Sequence, residues 1–214
     1  MRTLVIDTAT ERLSVALFDQ GQMVAHHGTL AGRGHAEALL PAIAALPDGG
    51  KADRIAVDIG PGSFTGVRIG LAAARALAFA WGVPLAGYSA LTMIAAGARA
   101  QRQGQGQGQA GETIAVAITG GHGELFWQYF AADTLAPMGN VASTPIADLV
   151  LTLKDAVVHG SGAPALVEAR GYGEAVPMHP DAQWFALLPP DAATLPPRPI
   201  YGRGADAKPM AVAR

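Results

Sequence analysis

Asp7 and Thr8 close an apolar run, Thr3-Leu4-Val5-Ile6, at the mouth of a predicted hairpin. A carboxylate and a hydroxyl in that place can face a nucleotide phosphate or its magnesium, with Ser14 on the next strand joining them. The same Asp-Thr pair also serves as an ordinary turn cap. Gly60-Pro61-Gly62-Ser63-Phe64-Thr65-Gly66 is the second suggestive pattern. Glycines allow tight turns, and free amides at a helix start can cradle an anion. The run lacks the Gly-Lys-Ser/Thr ending of a phosphate-binding loop. Its plainer reading is a strand-to-helix turn with Ser63 as cap, and Gly66 and Gly70 as a small face for close packing. The histidines, His26, His27, His35, His122, His159 and His179, form no i, i+4 helical pair, so no metal site is expected. His35 is expected to cap a helix or sit in an interface. Ser63 lacks the Gly-x-Ser-x-Gly context of a hydrolase elbow.

The elements that must position these residues follow from periodicity. Thr3–Thr8 reads as a strand buried on both faces, followed by strands over Arg12–Asp19 and Met23–His27 joined at Gln20-Gly21. A helix is predicted over Ala36–Leu46, with Pro41 tolerated near its start. A buried strand over Ile55–Ile59 leads into a helix over Phe64–Trp81, ended by Gly82-Val83-Pro84. Val83–Tyr88 is a strand and Ala90–Ala100 a helix. Gln101–Gln109 alternates Gln and Gly and reads as an exposed flexible loop and lobe boundary. Beyond it, strands are predicted over Thr113–Thr119, Glu124–Ala131 and Leu135–Ala142, then short helix–strand alternation. Pro177–Pro199 is expected to be largely extended. Each half opens with antiparallel strands and continues with helix–strand units, a faint long repeat.

Composition bounds the function. The 214 residues are half hydrophobic and 15% charged, which excludes a wholly disordered chain. A net charge of -2 argues against counterion-driven binding of nucleic acid by this chain alone. The absence of cysteine removes disulfides, thiolate metal sites and a cysteine nucleophile, and suits a cytoplasmic protein. No stretch reads as a membrane span, and the N-terminus does not read as a signal peptide.

The predicted helix Phe64–Trp81 is apolar nearly all round. Val67, Leu71, Ala74, Leu77, Ala78 and Trp81 form one stripe; Ile69, Ala72, Ala73, Ala76, Phe79 and Ala80 cover most of the rest, and Arg68 and Arg75 are its only charges. Such a helix is either central in a core or carries one face for a partner.

Taken together, Val5-Ile6-Asp7-Thr8-Ala9-Thr10, Ser14-Val15-Ala16-Leu17, His35-Ala36-Glu37-Ala38-Leu39-Leu40-Pro41 and Gly60 to Gly70 strongly resemble the TsaB (YeaZ) family through about the first 95 residues. Pro199-Ile200-Tyr201-Gly202-Arg203 is similar to the family's C-terminal signature. In the middle the chain departs: Ala117 to Gly121 stands for Asp-Ala-Arg, Glu124-Leu125-Phe126 for Glu-Val-Tyr, and Gly160-Ser161-Gly162 for Gly-Asp/Asn-Gly.

The resemblance implies an α/β, actin-like ATPase (ribonuclease H-like) fold of two lobes, each with a mixed sheet and helices. The first lobe is expected over 1–108, carrying dimerisation helices 36–46 and 64–81 with the tail 204–214 packed on it; a reduced second lobe is expected over 109–203. It further implies a non-catalytic subunit that binds and activates TsaD, the transferase that threonylcarbamoylates the adenosine next to the anticodon of tRNAs reading ANN codons. TsaE joins the complex, tRNA is met only through it, and the same surface also makes homodimers. TsaD binds its metal through a His-x-x-x-His pair after Pro-x-x-Gly; aligning Pro84-Leu85-Ala86-Gly87 on that stretch puts Ala90 and Ile94 at the ligand positions, neither able to donate a lone pair. On this reading no cofactor is required, with ATP or ADP expected only at the complex interface. The expected partner-binding residues are Leu39, Leu40, Ile43, Val67, Arg68, Leu71, Ala74 and Arg75. The rival is an independent ATP-using enzyme in which Asp7, Thr8 and Ser14 face phosphate. A peptidase ranks last, because nothing supplies a metal pair or an activated nucleophile.

Overall fold

The computed structural model describes residues 1–104 and 111–200. Strands β1 (Arg2–Asp7) and β2 (Arg12–Asp19) pair antiparallel with Asp7 opposite Ser14, and their continuous apolar runs are buried. Gln20 and Gly21 both take positive φ, the geometry a two-residue hairpin turn demands. β3 (Gln22–Leu30) follows and runs past the predicted end at His27. It lies at a sheet edge, so the polar residues that hid it from periodicity still pair with β2. α1 (His35–Ala44) leads to β4 (Arg54–Asp58), and α2 (Phe64–Trp81) from there to β5 (Leu85–Tyr88). The sheet order is β3-β2-β1-β4-β5, with β4 and β5 parallel to β1. Pro41 falls in the second turn of α1, not the first, on the helix face exposed to solvent.

The second sheet repeats the first. β6 (Thr113–Thr119), β7 (Glu124–Ala131) and β8 (Pro137–Pro145) are antiparallel; α4 (Ile146–Thr152), β9 (Val157–His159), α5 (Ala163–Arg170) and β10 (Glu174–Val176) complete the order β8-β7-β6-β9-β10. The faint internal repeat in the sequence is thus a duplicated topology. α3 (Ala90–Gly104) is buried along most of its length and joins the two sheets. Leu91, Ile94 and Ala95 share one core with Ile6 and Ile55 on one side and Ile114, Val116 and Ile118 on the other. Ala115 and Ala117, on the opposite face of β6, pack with Leu149 and Leu166 of α4 and α5.

Three expectations change. Gln101 to Gly104 are helical, part of α3 rather than loop, and Arg102 is held by Glu112 at 2.7 Å; the rest of the Gln/Gly run lies outside the described residues. Pro177–Pro199 is not simply extended, since Ala182–Leu187 and Asp191–Ala193 form 3-10 turns. Nor does this stretch stay with the second lobe. Leu195 exchanges two backbone hydrogen bonds with Gly87, at 2.7 and 3.0 Å, and the Ile200 amide donates to Ile59 at 2.8 Å. Phe185 stacks against Phe18 and Tyr88. The physical reason is apolar: Met178, Ala182, Phe185 and Leu188 bury themselves in the first-lobe core. The expected tail, 204–214, lies outside the described residues.

Candidate functional site

The turn after β4 is built for close approach. A side chain on Gly62 would strike the Ala9 carbonyl, one on Gly66 the Thr8 carbonyl, and one on Gly70 the Thr8 hydroxyl. Ser63 caps α2 through the Gly66 amide at 3.2 Å. The glycines therefore seat α2 against the end of β1, as the plainer reading of this motif required.

That seating seals the residues expected to face phosphate. Asp7, Thr8 and Ser14 are all buried. The Thr8 hydroxyl donates to the Gly66 carbonyl at 2.8 Å, and the Ser14 hydroxyl accepts from the Ala182 amide at 2.9 Å. Beside Ser14, Asp181 accepts from Arg12 Nε at 2.8 Å and lies 2.7 Å from His26 Nε2, fastening the returning chain over the strand ends.

Asp58, which sequence reasoning passed over, ends β4 beside Asp7 and is also buried. Its Oδ1 accepts from the Gly60 amide at 2.6 Å. Asp7 accepts from the Ala9 amide at 3.2 Å, and the Tyr88 hydroxyl donates to the Ile6 carbonyl at 2.9 Å while lying 3.4 Å from Asp7. Burial raises both carboxyls, Asp7 to about 6 and Asp58, with the Asp7 charge added, well above the usual range. Asp58 Oδ2 is buried without a hydrogen-bond partner, so a charge there is unfavourable and the protonated form is favoured. The signal that could have found this pair is an acid at the end of each of two buried runs that a parallel sheet sets side by side.

The structure corrects the choice of partner-binding residues. Leu39, Ile43, Val67, Leu71 and Ala74 are no more than 5% exposed and line this chain's own core. Arg68 lies over the Phe64 ring, and Arg75 donates to the Pro197 carbonyl at 2.8 Å. Of the apolar candidates only Leu40, 55% exposed, faces outward. The outer surface of the helix pair is the other stripe: Ala36, Leu40, Pro41 and Ala44 on α1, and Ala72, Ala76, Phe79 and Ala80 on α2, with Phe79 91% exposed. Both sides of α2 are apolar, so periodicity alone could not say which one the sheet would take.

Ala90 and Ile94, at the positions aligned with metal-binding histidines, are buried in α3. Among the described residues no three His, Asp or Glu side chains converge as a metal site would require.

A family model described as TsaD, tRNA N6-adenosine threonylcarbamoyltransferase, matches residues 24–166. The tRNA threonylcarbamoyladenosine biosynthesis protein TsaB of Escherichia coli is 37% identical over 138 residues, 62% of this chain and 56% of that one. The chain belongs to the TsaD family, on its TsaB (YeaZ) branch. A Mycobacterium bovis protein, Mb3455c, is 30% identical over 219 residues and is matched over 95% of its length. The solved structure of YeaZ from Pseudomonas aeruginosa superposes with a TM-score of 0.73 at 28% identity, covering 94% of this chain and 99% of that one. Together with the duplicated sheet order, this makes the fold the actin-like, ribonuclease H-like one. The chain spans about half the length of the TsaB relatives it matches, 56% of the Escherichia coli protein and 45% of the Bacillus subtilis one.

Proposed function

We propose that this chain is a non-catalytic accessory subunit that binds and activates TsaD in threonylcarbamoylation of the adenosine next to the anticodon of tRNAs reading ANN codons. One observation carries the reading: the helix pair α1/α2 turns Phe79, Leu40 and a field of alanines to solvent, on top of a first-lobe core that is already complete beneath it. Exposed apolar surface of this kind is characteristic of interfaces, and a large aromatic side chain such as Phe79 is the usual energetic anchor. The matching helix pair of TsaD is the proposed occupant, giving a four-helix contact; without TsaD, a second copy of this chain takes its place. Burial of Asp7, Thr8 and Ser14, each with partners inside the chain, supports a role without chemistry of its own. ATP or ADP then binds only at the joint with TsaD and TsaE, the chain meets tRNA through the complex, and it works in the cytoplasm. The net charge of -2 fits that division of labour.

Reconstitution of tRNA modification from purified components tests the reading. Modification is expected to depend on this chain, to be absent with the chain alone, and to be lost with Phe79→Asp while Leu40→Asp weakens it. Full modification without the chain, or undiminished TsaD binding by Phe79→Asp, overturns it. Calorimetry of the isolated chain with magnesium and ATP separates the rival: tight binding favours an independent ATP-using enzyme.

A further inference from the structure

The charges beside the exposed apolar stripe of α2 carry one sign. Arg68, Arg75 and Phe79 follow one another at intervals of seven and four residues, which keeps them on one side of the helix. No carboxylate occurs anywhere in α2, and none occurs in the returning chain between Ala192 and Ile200. On α1, Glu37 is the one acid between His35 and Ala44.

Arg75 is also held in place. It is exposed, yet its Nη2 donates to the Pro197 carbonyl at 2.8 Å. The returning chain fixes that carbonyl from both sides, because Leu195 pairs with Gly87 and the Ile200 amide donates to Ile59. Arg198, the next residue along, is exposed as well. Neither arginine has an ion pair among the described residues. A guanidinium carries five N–H donors in a rigid fork, and a single carbonyl leaves most of that fork for a carboxylate, which it can meet bidentately. A cation already ordered before binding loses less side-chain entropy when the partner arrives.

A second copy of this chain matches such a face poorly. A two-fold contact brings the same surface to both sides, so arginines meet a surface that carries arginines. One Glu37 can answer one arginine of the other copy, and the rest stay beside like charge.

We propose that Arg75 and Arg198 set the choice of partner on this face: they take carboxylates on an acidic helix surface and discriminate against a second copy of this chain. The inference rests on the reading of α1/α2 as the TsaD-binding surface and adds the chemistry of what faces it. Phe79 supplies the apolar anchor, which any apolar partner could satisfy, and the arginine pair supplies selectivity.

The test measures binding of the full chain to TsaD and to itself at two salt concentrations. The double variant Arg75→Glu with Arg198→Glu is expected to bind TsaD about tenfold more weakly at about 50 mM salt, narrowing to about twofold at about 500 mM. Arg75→Gln keeps a donor for the Pro197 carbonyl and loses the charge; it should weaken binding by a few-fold with an unchanged melting temperature. Mixed with the parent chain, the double variant is expected to form mixed dimers in preference to parent homodimers. Parent-like TsaD binding by the double variant, alongside lost binding by Phe79→Asp, overturns this inference and leaves the docking face standing. Parent-like binding by all of them overturns the face as well. A loss that salt does not moderate, or no preference for mixed dimers, also overturns the charge argument. So does tRNA binding by the isolated parent chain that the double variant abolishes, which would assign the arginines to phosphate.

Discussion

The two lobes share one strand order and differ in what is laid over it. In the first, α2 has 18 residues and α1 has 10; in the second, α5 has 8 and α4 has 7. At about 1.5 Å per residue, α2 is more than twice as long as α5. The short pair covers its own sheet and exposes one large apolar side chain, Leu151. The long pair covers its sheet with one face and still offers a second apolar face to solvent. The strand ends diverge too. Asp7 and Asp58 are two buried acids, both raised, at the strand ends of the first lobe, whereas β9 ends in His159, which burial drives down to about 4 and so keeps neutral. Duplication preserved the scaffold, and helix length decided which copy has surface to spare.

The largest expected effect contrasts the two faces of α2. Leu71→Asp places a carboxylate in the sealed core and should cost about 4 kcal/mol or more, enough to unfold the first lobe. Phe79→Asp, one face round, should leave thermal unfolding within a few degrees of the parent. If both variants melt alike, the assignment of the two faces is wrong.

Next come the glycine turns, one in each lobe. Gly62→Ala would drive a methyl into the Ala9 carbonyl, and Gly160→Ala into the Ala117 carbonyl, the latter also at φ +118. Each should lose about 2–4 kcal/mol in denaturant unfolding. A neutral result in one lobe alone would break the equivalence of the two turns.

A smaller effect is expected at the fastening of the returning chain. Asp181→Ala removes the partner of Arg12 and His26 and should cost about 2 kcal/mol, with faster amide exchange over Ala182–Leu188 and little change in β6–β10. Uniform acceleration in both lobes would contradict a local latch.

The smallest concerns the acid pair. Asp7 titrates near 6 in the fold against about 3.8 when exposed, so the folded state binds the proton more tightly. Stability is therefore expected to fall as pH rises from about 4 through 6, and further as Asp58 gives up its proton. Asp58→Asn removes one of the two titrating groups. It should flatten the pH profile and raise the melting temperature by a few degrees at pH 8; an unchanged slope would show that the pair does not govern it.

Much of this architecture was legible because the responsible signals are local. The bounds of β2, α2, β6 and β7 follow from apolar runs and from cap and glycine punctuation, Ser63 before α2 and Gly82 after it. The end of β3 was not, because an edge strand tolerates residues such as Gly28 and Thr29, which carry no apolar alternation. Which stripe of α2 meets the sheet was not legible either: Val67 and Leu71 differ from Ile69 and Phe79 in environment, not in kind. The return of Phe185 to Phe18 and Tyr88, and the meeting of Asp7 with Asp58, are tertiary events. No window of neighbouring residues encodes them.

Phe185 also sets an order of events. Ser14 waits for the Ala182 amide, and Arg12 for a carboxylate 169 positions away. The lobe that leaves the ribosome first is therefore finished last, since pairings so distant along the chain cannot form until its final third has been synthesised. Until then the apolar seat of Phe185 stands open, and a chain stopped after β10 would hold a whole second sheet beside an unroofed first one.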